Sequence, residues 1–117
     1  MVNLVNENGT ISITNEVLTN LAGDAATKCF GVKGMAGRAK ENGLVQLLRR
    51  ESMTKGVSVT PNEDGSITIS LHIVVDHGVN LAALSESIMN EVSYKVSSAT
   101  AIPVRQVDVF VDSMIID

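Results

Sequence analysis

The sequence predicts an α+β fold: a two-layer split β-α-β sandwich with a four-stranded antiparallel sheet, two long helices on one face and a short extra helix. Three observations predict it. First, Ile67, Ile69, Leu71, Ile73 and Val75 alternate with Ser66, Thr68, Ser70, His72 and Asp76, which marks a long strand with one buried and one mostly polar face. Second, two stretches carry apolar residues at helical spacing. Third, the order of elements is β-α-(short α)-β-β-α-β, and right-handed crossovers then place both long helices on one side of the sheet. The expected strand order is 4-1-3-2.

Taken in order, Gly9 to Thr14 alternates, with Ile11 and Ile13 on one face, and reads as the first strand. Thr14 or Asn15 can cap the helix that follows, with Glu16 near its positive end. Leu18, Leu21, Ala22, Ala25 and Cys29 form its apolar stripe, and Gly31 is placed as a C-cap. Gly31 to Gly43 reads as a basic glycine-punctuated loop, and Leu44 to Glu51 as the short helix. Val57 and Val59 mark the second strand, joined through the Pro61–Gly65 turn to the long third strand. Asn80 can cap the second long helix, whose inner face carries Leu81, Leu84, Ile88, Val92 and Val96 with Met89 beside them. That helix ends near Thr100, before Pro103. Val107, Val109 and Val111 form the inner face of the last strand. On the opposite face of the sheet, Val74 and Phe110 make a small apolar spot among Ser and Thr.

The chain has 117 residues, the length of one domain with one core. It is 44% hydrophobic and 19% charged, a globular composition. Phe30, Tyr94 and Phe110 are its three aromatics, too few for a base-stacking surface. The net charge of -4 opposes binding to phosphate backbones. The charge is uneven, however. Lys28, Lys33, Arg38, Lys40, Arg49, Arg50 and Lys55 against Glu41 and Glu51 leave that stretch at +5, and the remainder of the chain at -9. One cysteine, Cys29, excludes an internal disulfide and a Cys-rich zinc site, and fits a reducing compartment. The first residues lack the basic and apolar regions of a signal peptide, and no apolar run approaches the roughly 20 residues that span a bilayer. A cytoplasmic location is therefore expected, with any membrane association made through a partner and no direct insertion.

No catalytic set, cofactor site or metal site is expected. His72 and His77 are the two histidines, and they fall on opposite sides of an extended segment with no third ligand at a metal-binding spacing. Cys29 lies on an apolar stripe near the negative end of a helix, which disfavours a thiolate. No Gly-x-Ser-x-Gly elbow is present. Glu86 and Glu91 diverge on their helix.

Two stretches suggest contacts. Lys33, Arg38, Lys40, Arg49 and Arg50 would form a surface for an acidic partner or anionic headgroups. The glycines Gly31, Gly34 and Gly37 make a candidate loop. Gly31-Val32-Lys33-Gly34 between two helices has the layout of a KH-like nucleic-acid module. The same glycines could instead cradle a small anionic ligand through backbone N–H groups, or form a solvated loop. The net charge weighs against nucleic acid.

Several motifs occur together in a fixed order: Gly9-Thr10-Ile11-Ser12-Ile13, Asn15-Glu16-Val17, Cys29-Phe30-Gly31-Val32, Gly34-Met35-Ala36, Gly43-Leu44 through Leu47-Leu48-Arg49, Lys55-Gly56-Val57, Ile73-Val74-Val75 before His77-Gly78, and Val107-Asp108-Val109-Phe110-Val111. This ordered set resembles the alkaline shock protein family, the envelope stress response proteins of Gram-positive bacteria, over nearly the whole chain. It is most similar to the small cytoplasmic branch often encoded beside a dihydroxyacetone-kinase-like fatty acid kinase. The resemblance implies a non-enzymatic protein of envelope or lipid homeostasis that self-associates. Its implied partner is a fatty-acid-kinase-like or membrane-anchor protein. It brings no catalytic residues. His77 stands where the family more often has Tyr before the glycine.

Overall fold

Ten alternating residues make Ile67–Asp76 (β6) the strand on which the other elements converge. Ile67, Ile69, Leu71, Ile73 and Val75 have no solvent exposure. In a computed structural model, which describes residues 2–29, 31–38, 45–47 and 56–115, these side chains meet Leu18, Ala22, Ala25 and Ala26 of Asn15–Thr27 (α1) and Leu84, Ile88, Val92 and Val96 of Leu81–Thr100 (α2) in one core. Both long helices thus cover the same face of β6, as the alternation requires. Alanines and Gly23 on the buried side of α1 keep that helix thin where it packs. Thr14 caps α1 through its Oγ1, which accepts from the Val17 N–H at 3.4 Å, and Asn80 caps α2 through its Oδ1, which accepts from the Ala83 N–H at 3.1 Å.

The chain is α+β, but the expected four-stranded antiparallel sheet and its 4-1-3-2 order are not what forms. Val104–Ile115 (β7) pairs with β6 in parallel along the whole length of β6. The physical cause is α2, a 20-residue crossover that returns the chain to the end from which β6 starts. The other edge of β6 holds two strands in tandem. Val57–Pro61 (β5) pairs antiparallel with Ile67–Leu71 through the Asn62–Ser66 turn. Val32–Arg38 (β3) pairs antiparallel with Ile73–Val75. β5 has five residues and leaves the second half of β6 unpaired on that edge; β3 takes up Ile73–Val75 within it.

Two further differences concern local elements. The first expected strand, Gly9–Ile13 (β2), does not join β6. It forms a separate antiparallel ribbon with Val2–Asn6 (β1). Asn6 sets the turn, since its Oδ1 accepts from the N–H groups of Asn8 at 2.8 Å and Gly9 at 3.1 Å. The expected basic loop is in fact β3 over residues 32–38, and residues 45–47 of the expected short helix form Val45–Leu47 (β4), a strand paired with β3. Residues 39–44 and 48–51 of those two segments, and Phe30 before them, lie outside the described residues. The open apolar spot on the far face is also smaller than expected, because Val74 is buried while Phe110 is exposed.

Helix α2 ends in Ala101 at φ 62, the left-handed conformation, with its N–H donating to Ser97 O at 2.9 Å. Glycine suits this position because an added Cβ there costs about 1–2 kcal/mol. Part of that gain is lost to the greater freedom of glycine in the unfolded chain. Ala101→Gly is expected to raise stability by about 0.5–1 kcal/mol, measured as a higher urea midpoint with an unchanged slope.

Candidate functional site

Three places bring chemistry-bearing side chains together. The first is on the open face of the sheet. His72 stands opposite Phe110 in the β6–β7 register, and their rings stack with centroids 4.8 Å apart at 14°. His72 Nδ1 lies 2.9 Å from Asp112 Oδ2. With Asp112 ionised, Nδ1 carries the proton and donates, so the carboxylate fixes tautomer and ring orientation together. The Asp112 side chain is only 7% exposed and that of His72 35% exposed. The sequence places His72 on the mostly polar face of its strand, and the fold ties it there to two side chains of β7. The His72–Asp112 pair is 40 residues apart, and only the parallel register makes it visible.

The second place is the junction of β6 and α2. Asp76, His77, Gly78, Val79, Asn80 and Ser87 line part of a shallow groove of about 540 Å³. Gly31 supports it from below. It is buried at φ +99, its carbonyl accepts from the Asp76 N–H at 2.9 Å, and an added Cβ would lie 2.9 Å from Val79 Cγ1. His77 is exposed, and its N–H donates to Ile115 O at 3.0 Å. α1 ends before Gly31: its C-cap is Lys28, not Gly31.

Cys29 stands near this junction. Its Sγ donates to Ala25 O at 3.6 Å. Burial pushes its thiol above the ordinary range, Ser87 opposes this by hydrogen bonding to the sulfur, and the Glu91 carboxylate adds to the rise. The group is held as a thiol, in line with a packing role. Because the folded state favours the protonated form, its stabilising share is lost as pH rises past the unfolded thiol's range. Alkylation by iodoacetamide at about pH 8 is expected to run several-fold slower than for the urea-unfolded chain. Glu91→Gln should speed it.

The third place is the basic stretch. Lys33 and Arg38 fall within β3, with Gly34 and Gly37, whereas Lys40, Arg49 and Arg50 lie outside the described residues. β3 follows β6 as far as Met35 and then pairs with β4 through Ala36, Gly37 and Arg38. Gly31 to Gly34 is therefore not a loop between two helices, which removes the basis of the KH-like reading. An extended strand paired with β6 also does not turn successive N–H groups toward one anion, so the cradle for a small anionic ligand is not formed there. Among the described residues, no three His, Cys, Asp or Glu side chains converge as a metal site. No described helix is long and apolar enough to cross a membrane.

Comparison with known proteins gives the setting. No solved structure matches the chain. It is 33% identical over 107 residues to the uncharacterized protein YloU of Bacillus subtilis, covering 91% of this chain and 88% of that relative. It is 30% identical over 114 residues to the uncharacterized protein Spy1614 of Streptococcus pyogenes, covering 97% and 93%. The uncharacterized protein YqhY of Bacillus subtilis is 28% identical over 103 residues. The model of the alkaline shock protein family, described as having a cell envelope-related function, matches residues 3–116. The resemblance carried by the ordered motifs is thereby borne out, and the chain belongs to the alkaline shock protein family, with its cell envelope-related function.

Proposed function

We propose that this chain is a non-enzymatic interaction and scaffold protein of envelope stress and lipid homeostasis. It self-associates, works in the cytoplasm and reaches the membrane through a protein partner. The partner is a fatty-acid-kinase-like or membrane-anchor protein with an acidic face. The observation that carries this reading is the charge separation. The stretch from Lys28 to Lys55 stands at +5 inside a chain of net charge -4. Clustered like charges repel within the fold, but they steer an oppositely charged partner and suppress wrong ones. The path of β3 supports the assignment, since that strand leaves β6 after Met35 and continues paired with β4. Lys33, Arg38, Lys40, Arg49 and Arg50 are the proposed contacts.

The test is capture from a native lysate by the full chain, compared with a variant in which these five residues are Glu. Circular dichroism of the variant reports that it is folded. The native chain is expected to retain a few stoichiometric proteins that wash off as salt rises, and the variant to lose them. Unchanged capture by the folded variant overturns the surface assignment. Flotation with phosphatidylglycerol vesicles instead of protein capture would redirect the contact to lipid headgroups.

A further inference from the structure

β7 runs along one side of β6 and has no second strand partner among the described residues. Register shifts near its two ends make Arg105 and Asp112 extra residues there. Between them, Gln106 to Val111 pairs regularly with Thr68 to Ile73. Along that regular stretch, the N–H and C=O groups that do not face β6 point to the open edge.

The space beside this edge is shaped for a chain segment. α2 packs Ile88 and Val92 onto the core, and its neighbouring flank carries Met89, Asn90 and Ser93. That flank and the start of β7 line a shallow, open groove of about 440 Å³, with Met89 on the helix side and Val104 and Val107 on the strand side. Met89 is 39% exposed, although apolar residues on the same helix are fully buried. A strand added to β7 in the plane of the sheet would turn alternate side chains into this groove.

The other face of such a strand would meet a different surface. His72 stacks on Phe110 from the β6 side, so the exposed part of the Phe110 ring is turned toward the open edge. Asp108 lies two residues earlier on the same face, oriented by Gln106 Nε2 at 2.7 Å from its Oδ1. Glu86 stands one helical turn before Met89 and Asn90 on α2. The one base in the groove, Arg105, also acts on the carboxylate of Asp64. All of these groups belong to the part of the chain that stands at -9.

We propose that β7 and α2 form a peptide-docking groove. It takes an extended segment of a partner protein in which apolar residues alternate with arginine or lysine. The apolar side chains enter the groove beneath Met89. The cations lie across Phe110 and beside Asp108, where ring face and carboxylate both attract them. Backbone pairing with β7 supplies affinity, and the two faces supply selectivity. A second copy of this chain fits the edge poorly. Antiparallel pairing of two β7 strands about their middle lays Asp108 and Asp112 beside the same carboxylates of the other copy. The proposal does not depend on the basic stretch from Lys28 to Lys55, which lies elsewhere in the sequence.

The experiment is a nuclear magnetic resonance titration of the isotope-labelled full chain with a synthetic peptide of alternating valine and arginine. Two control peptides replace arginine by glutamate, or keep arginine and methylate alternate backbone nitrogens. Shifts are expected at Gln106 to Val111 and at Met89 to Ser93. Both controls should bind at least about tenfold more weakly, as should the Asp108→Lys and Phe110→Ala variants. Both substitutions are on the solvent side of the sheet, and the amide spectrum of each variant reports its fold. Equal binding of the methylated peptide would reduce the interaction to diffuse charge attraction and overturn the proposal. So would equal binding of the glutamate peptide, shifts confined to other elements, or no shifts at about millimolar peptide.

Discussion

Replacing Ile69 by alanine is expected to destabilise the fold by about 2–5 kcal/mol. Ile69 is the third residue of β6, with no solvent exposure, between β5 on one side and β7 on the other and in one core with both helices. The cost has two parts: lost burial of the removed carbons and a cavity that a two-layer core cannot close. Helices on one side and a hydrogen-bonded sheet on the other limit how far neighbours can relax. Thr68, the preceding residue on the open face, is the control, and Thr68→Ala should cost no more than about 1 kcal/mol, the worth of the hydrogen bond its Oγ1 accepts from Asn62 Nδ2 at 3.2 Å. Urea denaturation of the two variants decides the matter. Similar midpoints would mean that β6 does not separate a core face from a solvent face.

Gly31→Ala is expected to cost about 2–5 kcal/mol, combining backbone strain with overpacking. The two causes are independent. At φ +99 an L side chain is strained whatever space surrounds it, and here the space is taken: the new Cβ would lie 2.9 Å from Val79 Cγ1 and 3.5 Å from Leu84 Cδ2. Relief requires moving the start of α2, which would pull the Gly31 carbonyl off the Asp76 N–H. Thermal unfolding checks the magnitude, and Val79→Ala in the Gly31→Ala background should restore part of it by removing the clash but not the strain. A Gly31→Ala protein as stable as the parent would show that neither the backbone strain nor the clash with Val79 operates at this position.

The helices and the central strand were legible because their signals are local. The Ile67–Val75 alternation, the Leu84–Val96 stripe and the caps at Thr14 and Asn80 each lie within a few turns of chain, and each forms as expected. The sheet's topology was not legible in the same way, because pairing joins distant segments. β3 carries two glycines, Gly34 and Gly37, with Gly31 just before its start, and glycine is read as loop. In the fold, Val32, Gly34 and Met35 find the uncovered end of β6, and tertiary pairing outweighs propensity. β1 was missed because Val2, Leu4 and Val5 are too few to show a period by themselves. The same reasoning applies to the candidate sites. Cys29, placed by the sequence on the stripe of α1, falls just past the end of that helix and is half-buried against it. The His72–Asp112 pair and the groove beside β7 exist only once the parallel register sets β7 against β6.

The tandem occupation of one edge of β6 bears on how the chain assembles. β5 reaches β6 across a five-residue turn, and β7 follows β6 through a helix that itself forms locally. Residues 56–115 can therefore close most of the sheet with short loops. β3 pairs with Ile73–Val75 from about forty positions upstream, with β4 and β5 intervening, and its loop closure carries the larger entropic cost. In a folding reaction the β5–β6–α2–β7 unit is then the nucleus, while docking of α1 and β3 is the late event. Core substitutions in α2 should slow folding, and substitutions in α1, such as Leu18→Ala, should mainly speed unfolding.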